Sequence, residues 1–471
     1  MSYNLKTKPW KHQWQALDYM MIRDQAALYT DMGSGKTKVA LDLIVNRGFK
    51  KSIIVTTRKG CAVWEDEIDT HIDTSSILIC NLSEYSTKEK SPILKGTLGE
   101  AKRKGFSIIF IINYDSIWRD PFKEDLLKTN LDCIICDESH RIKSPNSKCS
   151  MFLTRLGKRV QHRYLMTGTP STGNPIDVYA QYRFLDPTIF GTNFTKFRNQ
   201  YENVDPIRSA YGGYRALDKK EPYKNLDELK EKMYSCAFHV TPDIKLPPVT
   251  DITVTFKPSK AAMDIYHNIE RFGIFEEKDG ILDTNNALVK ILRMQQVLSG
   301  CLVLENEDYT EKVQKPIDYL RSVKLEELLE GIPESEKVVV FAKFRYDFDK
   351  IKEVCERLGI SYGEISGKQD DYKAWQKGKI RLVAVHYQSG SESISLTEAR
   401  YVIYYSLSHS YGMYAQSRKR VHRPKQERPV TYYHIVATIP NKVSLDEEIM
   451  NALEFKKDIV DYLLEKNNGK R

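Results

Sequence analysis

Gly33-Ser34-Gly35-Lys36-Thr37 sets two glycines, a lysine and a hydroxyl in one short turn, and Asp137-Glu138 sets two carboxylates side by side after the apolar run Leu131-Asp132-Cys133-Ile134-Ile135-Cys136. A glycine turn presents backbone N–H groups to phosphate oxygens, the neighbouring lysine neutralises phosphate charge, and the hydroxyl can hold a magnesium ion. Adjacent carboxylates at a strand end supply the other half of a phosphoryl-transfer apparatus. One holds the metal through its water shell and the other orients the attacking water. Together the two stretches read as a nucleotide triphosphatase.

Such chemistry needs a strand leading into the turn and a helix leaving it, so that the helix N-terminus points at the phosphates. Ala26-Ala27-Leu28-Tyr29 reads as a short buried strand, and Lys38 to Ile44 is apolar at helical spacing. Thr30 stands where the strict pattern has glycine, and a chance turn in a surface loop is the competing reading. The strand and helix on either side favour the phosphate turn.

Further strands are expected at Ser52 to Thr57, Ile77 to Cys80, Ser107 to Ile112, Leu131 to Cys136 and Arg163 to Met166, with helical stretches between most of them. This rhythm predicts an open parallel sheet covered by helices, with active loops at the strand C-terminal ends. It breaks after Phe184-Leu185-Asp186-Pro187. Residues 188–248 are rich in tyrosine, lysine and arginine and read as a helical insertion and linker. A second rhythm follows, with strands at Val338 to Phe341, Ser361 to Ile365, Ile380 to His386, Tyr401 to Tyr405 and Thr431 to Ile435, and a crossover helix at Phe348 to Leu358. It carries no phosphate turn of its own, which suggests a site completed at a cleft between two sheets. The expected organisation is a first lobe at 1–187, the insertion at 188–248, a second lobe at 249–444 and a C-terminal helix within 445–471 that packs on a lobe.

The 471-residue chain is too long for one core. Its 72 basic against 63 acidic residues give +9, a mild lean toward a polyanionic partner that a merely solvated surface would also explain. Apolar runs such as Ile108 to Ile112 are far below membrane-spanning length. The first residues carry no signal-peptide core, so a cytoplasmic protein is expected, in a host cytoplasm if viral, with the nucleus the less favoured alternative. The eight cysteines are scattered and read as reduced core residues. Cys133 and Cys136 form a C-x-x-C, but no second pair stands at ligand spacing and an extended apolar run would hardly close a tetrahedral zinc site.

Taken together, the motifs resemble the SNF2 family of superfamily 2 helicases, ATP-dependent DNA translocases built from two RecA-like lobes. Pro9 to Ala16 is similar to the family's Q motif, with Gln13 at the adenine-reading position. Thr30 to Thr37 matches motif I, with threonine for the usual alanine, and Ile53 to Lys59 through Trp64 matches motif Ia and the tryptophan that follows it. Asp137 to His140, extended through Ser144, matches motif II in its SNF2 form; Leu165 to Pro170 matches motif III, Val339 to Phe344 motif IV, and Gln416 to Gln426 motif VI. Motif V departs: Gly390-Ser391-Glu392-Ser393-Ile394-Ser395-Leu396 has serines for two glycines and for an asparagine, which puts any ribose or phosphate role of Ser395 in doubt. The paired arginines the family shows near Phe238-His239-Val240-Thr241 are missing, so a brace between the lobes is expected to differ.

The resemblance implies roles. Gln13, Gly33, Ser34, Gly35, Lys36 and Thr37 would bind ATP, with Thr37 and Asp137 holding Mg²⁺, Lys36 neutralising the β and γ phosphates and Glu138 activating water. Arg420 and Arg423 would act as arginine fingers from the second lobe. His140, Thr167, Thr169 and Gln416 would couple hydrolysis to movement. Phosphate-backbone contacts are expected from Thr57, Arg58, Lys59, Lys343, Arg345, His386, Tyr387 and Gln388. Within the insertion, Tyr201, Arg208, Tyr211, Tyr214, Arg215, Lys219, Lys220 and Tyr223 could grip DNA, although tyrosines there more often form local core. For the run Arg418 to Arg428 a solvated face or a nuclear-localisation patch is the competing reading.

The implied activity is movement of a monomer along duplex or branched DNA, as in fork remodelling or branch migration, with no membrane partner. A strand-separating DNA or RNA helicase is the first alternative. A DNA-binding assembly factor with weak ATPase is the second.

Overall fold

The computed structural model describes residues 5–30, 33–206, 217–218, 220–239, 245–272, 274–277, 280–283, 287–305, 312–388 and 394–465. Two compact units are present, one formed by residues 1–244 with 456–471 and the other by 245–455.

The first unit is built on a seven-stranded sheet in the order β3-β4-β2-β5-β6-β1-β7. The strands are β1 Gln25–Tyr29, β2 Lys51–Thr56, β3 Ile77–Asn81, β4 Ser107–Asn113, β5 Cys133–Asp137, β6 His162–Thr167 and β7 Ala237–His239. Every pairing is parallel. Parallel strands joined by helical crossovers are buried on both faces, which is why β4 is a continuous apolar run with every residue buried. Side chains alternate between two cores. Ile54, Ile109, Cys133 and Ile135 join one, while Ile53, Phe110, Ile134 and Cys136 join the other. The C-x-x-C cysteines therefore face opposite sides of the sheet.

The expected six strands are all present. The insertion adds a seventh, because β7 pairs parallel to β1 along Ala27–Tyr29. The helix Phe194–Tyr201 packs into the same unit through Phe197 and Tyr201, both in the core.

In the second unit a six-stranded sheet runs β14-β15-β13-β16-β17-β8. Its strands are β8 Val249–Phe256, β13 Val338–Ala342, β14 Tyr362–Ile365, β15 Leu382–His386, β16 Tyr401–Tyr404 and β17 Val430–Ala437, again all parallel. β8 was not among the expected strands. It is an edge strand whose residues are mostly exposed, marked only by the short alternation Ile252-Thr253-Val254-Thr255-Phe256. A separate antiparallel sheet, β12-β11-β10-β9, was also unforeseen. It is formed by β9 Ile274–Glu277, β10 Gly280–Asp283, β11 Cys301–Glu305 and β12 Lys312–Pro316. The expected crossover helix spans Arg345–Arg357.

The helix Leu445–Leu464 divides between the units. In the second, Leu445 N–H donates to the Tyr266 hydroxyl at 3.1 Å and Asp446 pairs with buried Arg321. In the first, Ile459 and Leu463 enter the core and the Tyr234 hydroxyl donates to the Leu463 carbonyl at 3.1 Å.

Candidate active site

Strand order brings the chemistry together. In the first sheet β1, β6, β5 and β2 are neighbours, so Thr30, Thr167, Asp137 and Thr56 stand side by side at the C-terminal edge, about 4.8 Å from strand to strand. That edge is where open parallel sheets bind ligands.

The phosphate turn follows β1. Gly33 and Gly35 both have φ of +78°, in the left-handed region that glycine adopts without strain. Gly35 precedes the helix Lys36–Asn46, whose N-terminus presents backbone N–H donors toward the turn. A Cβ on Gly35 would lie 2.1 Å from the Gln13 amide nitrogen. Gln13 is buried against this turn, accepting from Trp10 N–H at 2.8 Å and donating to the Ser34 and Gly35 carbonyls at 3.2 and 3.4 Å. Its amide thus holds the turn itself. Lys36 is buried and donates to the Thr30 carbonyl at 3.1 Å. Asp31 and Met32 lie outside the described residues.

Asp137 ends β5 and is held on every side. Its Oδ2 accepts from the Trp64 indole at 2.9 Å and the Thr56 hydroxyl at 3.0 Å, its Oδ1 from the Glu138 N–H at 3.0 Å, and its carbonyl from the Tyr114 hydroxyl at 2.6 Å. Burial and the Glu138 charge nonetheless push its carboxyl above the usual range. Burial also disfavours ionised Glu138, but His140 and Lys36 outweigh it and hold Glu138 low. Glu138 has φ of +51°, a conformation that costs a non-glycine residue energy and re-aims its side chain away from the strand.

The strained carboxylate is tied to the end of β6. Thr167 donates to Glu138 at 3.3 Å, His140 Nδ1 lies 3.2 Å from the Thr167 hydroxyl and 3.3 Å from Glu138, and Thr169 N–H donates to Thr167 at 3.1 Å. Ser139 extends this network by donating to Gln181 at 2.7 Å, whose amide donates to the Pro170 carbonyl at 2.6 Å. Hydrogen bonds thus run from Glu138 through Thr167 to the first residues after β6.

Magnesium suits this donor set. Asp137 and Glu138 crowd two half-buried carboxylates beside Lys36, and the pressure on Asp137 to take a proton is the pressure a metal ion would relieve. The Thr37 hydroxyl is the second hard oxygen. Among the described residues no three His, Cys, Asp or Glu side chains converge on one metal position. Magnesium needs no such cage, since it takes its remaining ligands from phosphates and water.

In the second unit, Arg420 is buried in the last turn of the helix Tyr411–Val421 and its carbonyl accepts from Leu396 N–H at 2.9 Å. Arg423 lies beyond the helix end, half-buried, and Gln416 is half-buried within the helix. The two arginines thus belong to a helix end and the turn after it. Of motif V, Gly390, Ser391, Glu392 and Ser393 lie outside the described residues, and Ser395 N–H donates to the Tyr372 hydroxyl at 3.1 Å.

The eight expected nucleic-acid contacts separate by what already engages them. Arg58, Lys59 and Gln388 are exposed. Thr57 caps the helix Arg58–His71, accepting from Gly60 N–H at 3.1 Å. Arg345 pairs with Glu364 at 2.6 Å and Asp349 at 3.1 Å, and Lys343 donates to Gln295 at 2.6 Å. Half-buried His386 has Nε2 at 3.2 Å from the Lys343 carbonyl. Tyr387 is a correction. It is buried, its hydroxyl donates to the Ser406 carbonyl at 2.9 Å and its ring lies against Phe341 and Tyr404, which makes it core. Of the insertion residues, Tyr201 is core, Tyr223 is half-buried and Lys220 is exposed. Arg208, Tyr211, Tyr214, Arg215 and Lys219 lie outside the described residues, as do Val240 and Thr241.

Sequence reasoning missed the ring of donors around Asp137, namely Thr56, Tyr114 and the Trp64 indole, and the Ser139–Gln181 bridge. The available signal was that a carboxylate ending a central strand needs donors from the strands beside it.

Residues 12–308 match the SNF2-related domain and residues 322–425 the helicase conserved C-terminal domain. The chain is 24% identical over 477 residues to the DNA repair and recombination protein RDH54 of Saccharomyces cerevisiae (strain AWRI1631), covering 91% of this chain and 51% of that protein. It is 23% identical over 478 residues to human DNA repair and recombination protein RAD54B, covering 88% and 50%. It thus spans about half the length of these relatives. Putative protein p41 of Acyrthosiphon pisum secondary endosymbiont phage 1 is 24% identical over 487 residues and matches along 97% of this chain and 98% of its own. Among solved structures, the Sulfolobus solfataricus SWI2/SNF2 ATPase core in complex with dsDNA aligns over 98% of this chain and 94% of that one, at 18% identity and a TM-score of 0.42. No helix among the described residues is long and apolar enough to cross a membrane. With the first match spanning more than half its length, the chain belongs to the SNF2-related family of helicase-type, ATP-dependent enzymes.

Proposed function

We propose that this chain is an Mg²⁺- and ATP-dependent DNA translocase that moves along duplex or branched DNA, in the remodelling of forks or the migration of recombination branches. The observation that carries the reading is the linkage of Glu138 through His140 and Thr167 to Thr169, which gives hydrolysis a physical route to a loop beyond the nucleotide. Lys36 and the turn bind the phosphates, Thr37 and Asp137 hold magnesium, Glu138 orients water, and Arg420 and Arg423 are assigned to charge developing on the transferred phosphoryl group. Exposed Arg58, Lys59 and Gln388 are the backbone contacts best placed to meet phosphates. The names of RDH54 and RAD54B, both repair and recombination proteins, support this pathway class.

The test is displacement of a third strand from a DNA triplex with ATP present. Wild type is expected to strip the strand, and a Glu138→Gln protein to bind ATP yet neither hydrolyse it at a comparable rate nor strip. Unwinding of a plain fork without triplex displacement would favour the strand-separating helicase instead.

A further inference from the structure

The opposite edge of the first sheet holds a second concavity. A cavity of about 530 Å³ opens between the helix Lys90–Lys104, the helix Phe122–Lys128 and the first residues of β2 and β4. Because β2 begins at Lys51 and ends at Thr56, beside Asp137, the cavity lies one strand length, about 20 Å, from the nucleotide chemistry. An occupant there would leave the phosphate turn free.

The lining has two characters. Its floor is aliphatic and aromatic: Leu94 and Ile108 are buried, Leu98 and Phe106 half-buried. Around it stand Lys50, Lys51, Lys95, Lys102 and Lys128 against the single carboxylate of Asp125. Lys95 already meets Asp125 at 2.9 Å, and its proximity helps hold that carboxyl below the usual range. Lys51 and Lys102 have no ion-pair partner within 4 Å among the described residues. Catalysis uses none of these groups.

We infer that this cavity is a docking site for an acidic peptide bearing a bulky apolar side chain, presented by a partner protein. Charge complementarity selects the acidic chain, and the floor selects the side chain, whose burial supplies affinity that rim charges alone do not. A nucleic acid would satisfy the lysines but gain less from this floor, since its phosphates stay solvated and the lining offers its bases one half-buried ring, Phe106, among aliphatic side chains rather than a series of stacking platforms.

The test is selection of random dodecapeptides displayed on phage against the full-length chain, with the Lys102→Glu/Lys128→Glu protein as counter-target. Both lysines are exposed and remote from the turn, so the variant should fold and keep its basal ATPase rate. Enriched peptides should carry Asp and Glu around Leu, Phe or Trp. Synthesised with a fluorophore, they should bind the variant and a separate Leu98→Asp protein roughly tenfold or more weakly, with affinity falling as salt rises. Enrichment of neutral or basic peptides, or equal binding to wild type and variant, would overturn the inference. So would a variant that keeps peptide binding but loses duplex DNA binding, which would make the cavity a nucleic-acid contact.

Discussion

Replacing Trp64 by phenylalanine isolates one hydrogen bond that holds Asp137, the carboxylate proposed to bind magnesium. The indole is 1% exposed and its N–H donates to Asp137 at 2.9 Å, so the change keeps most of the ring in the core and removes one donor from a half-buried carboxylate. A hydrogen bond to a charged group contributes about 1.5–3 kcal/mol. Since one pKa unit corresponds to about 1.4 kcal/mol, the loss should raise the Asp137 carboxyl by roughly one to two units beyond its already raised position. Magnesium binds the ionised form. The Mg²⁺ concentration giving half-maximal nucleotide binding near neutral pH should therefore rise by about two- to tenfold, and the shortfall should shrink as pH increases. Calorimetric titration of Mg²⁺ into protein with a non-hydrolysable ATP analogue, at several pH values, reads both effects. Trp375→Phe is the control: that indole is equally buried and sits under Lys337, but its N–H has no hydrogen-bond partner among the described residues, so the change removes no donor from a carboxylate. If Trp64→Phe and Trp375→Phe shift Mg²⁺ dependence equally, the hydrogen bond does not tune Asp137.

Glu138→Gln removes the neighbouring charge that helps push Asp137 up, so its folded pKa should fall and acid should abolish magnesium-dependent nucleotide binding at a lower pH than in wild type; an unmoved midpoint in a pH series of the same titration would separate the two carboxylates. Gly35→Ala should lose nucleotide binding while keeping its fold, because a Cβ would both meet the Gln13 amide at 2.1 Å and sit at positive φ, and unchanged fluorescent-ATP affinity would contradict this. Gln181→Leu leaves the buried Ser139 hydroxyl and Pro170 carbonyl unpaired, at a cost of about 2–4 kcal/mol readable by urea unfolding, and ATP turnover should fall with it. Arg321→Met strands buried Asp446 without its cation and should destabilise the second unit by about 3–5 kcal/mol, seen as a lower thermal midpoint.

Both parallel sheets were legible because strands buried on two faces are written as unbroken apolar runs, such as Ile108 to Ile112 and Val338 to Phe341. β8 was not, because an exposed edge strand carries no such run; β9, β10 and β12 are short and mix polar with apolar residues, and the apolar run Cys301 to Leu304 of β11 stands outside any βα rhythm. In the site, local order placed the phosphate turn, Asp137 and Glu138. What surrounds them depends on which strands become neighbours. Tyr387, next to motif-like polar residues, read as a DNA contact, yet only the packing of β13 and β16 against it reveals that its hydroxyl and ring are spent inside. The same gap hid the Trp64–Asp137 bond, made between side chains far apart in sequence.

The most direct test of the central claim compares ATPase rates with no polymer, single-stranded DNA, duplex DNA, a four-way junction and RNA. Duplex or junction DNA should stimulate wild type most, and Glu138→Gln should show no stimulated turnover with any polymer. Strongest stimulation by RNA, or a rate indifferent to every polymer, would contradict the assignment of this chain as a DNA-driven motor.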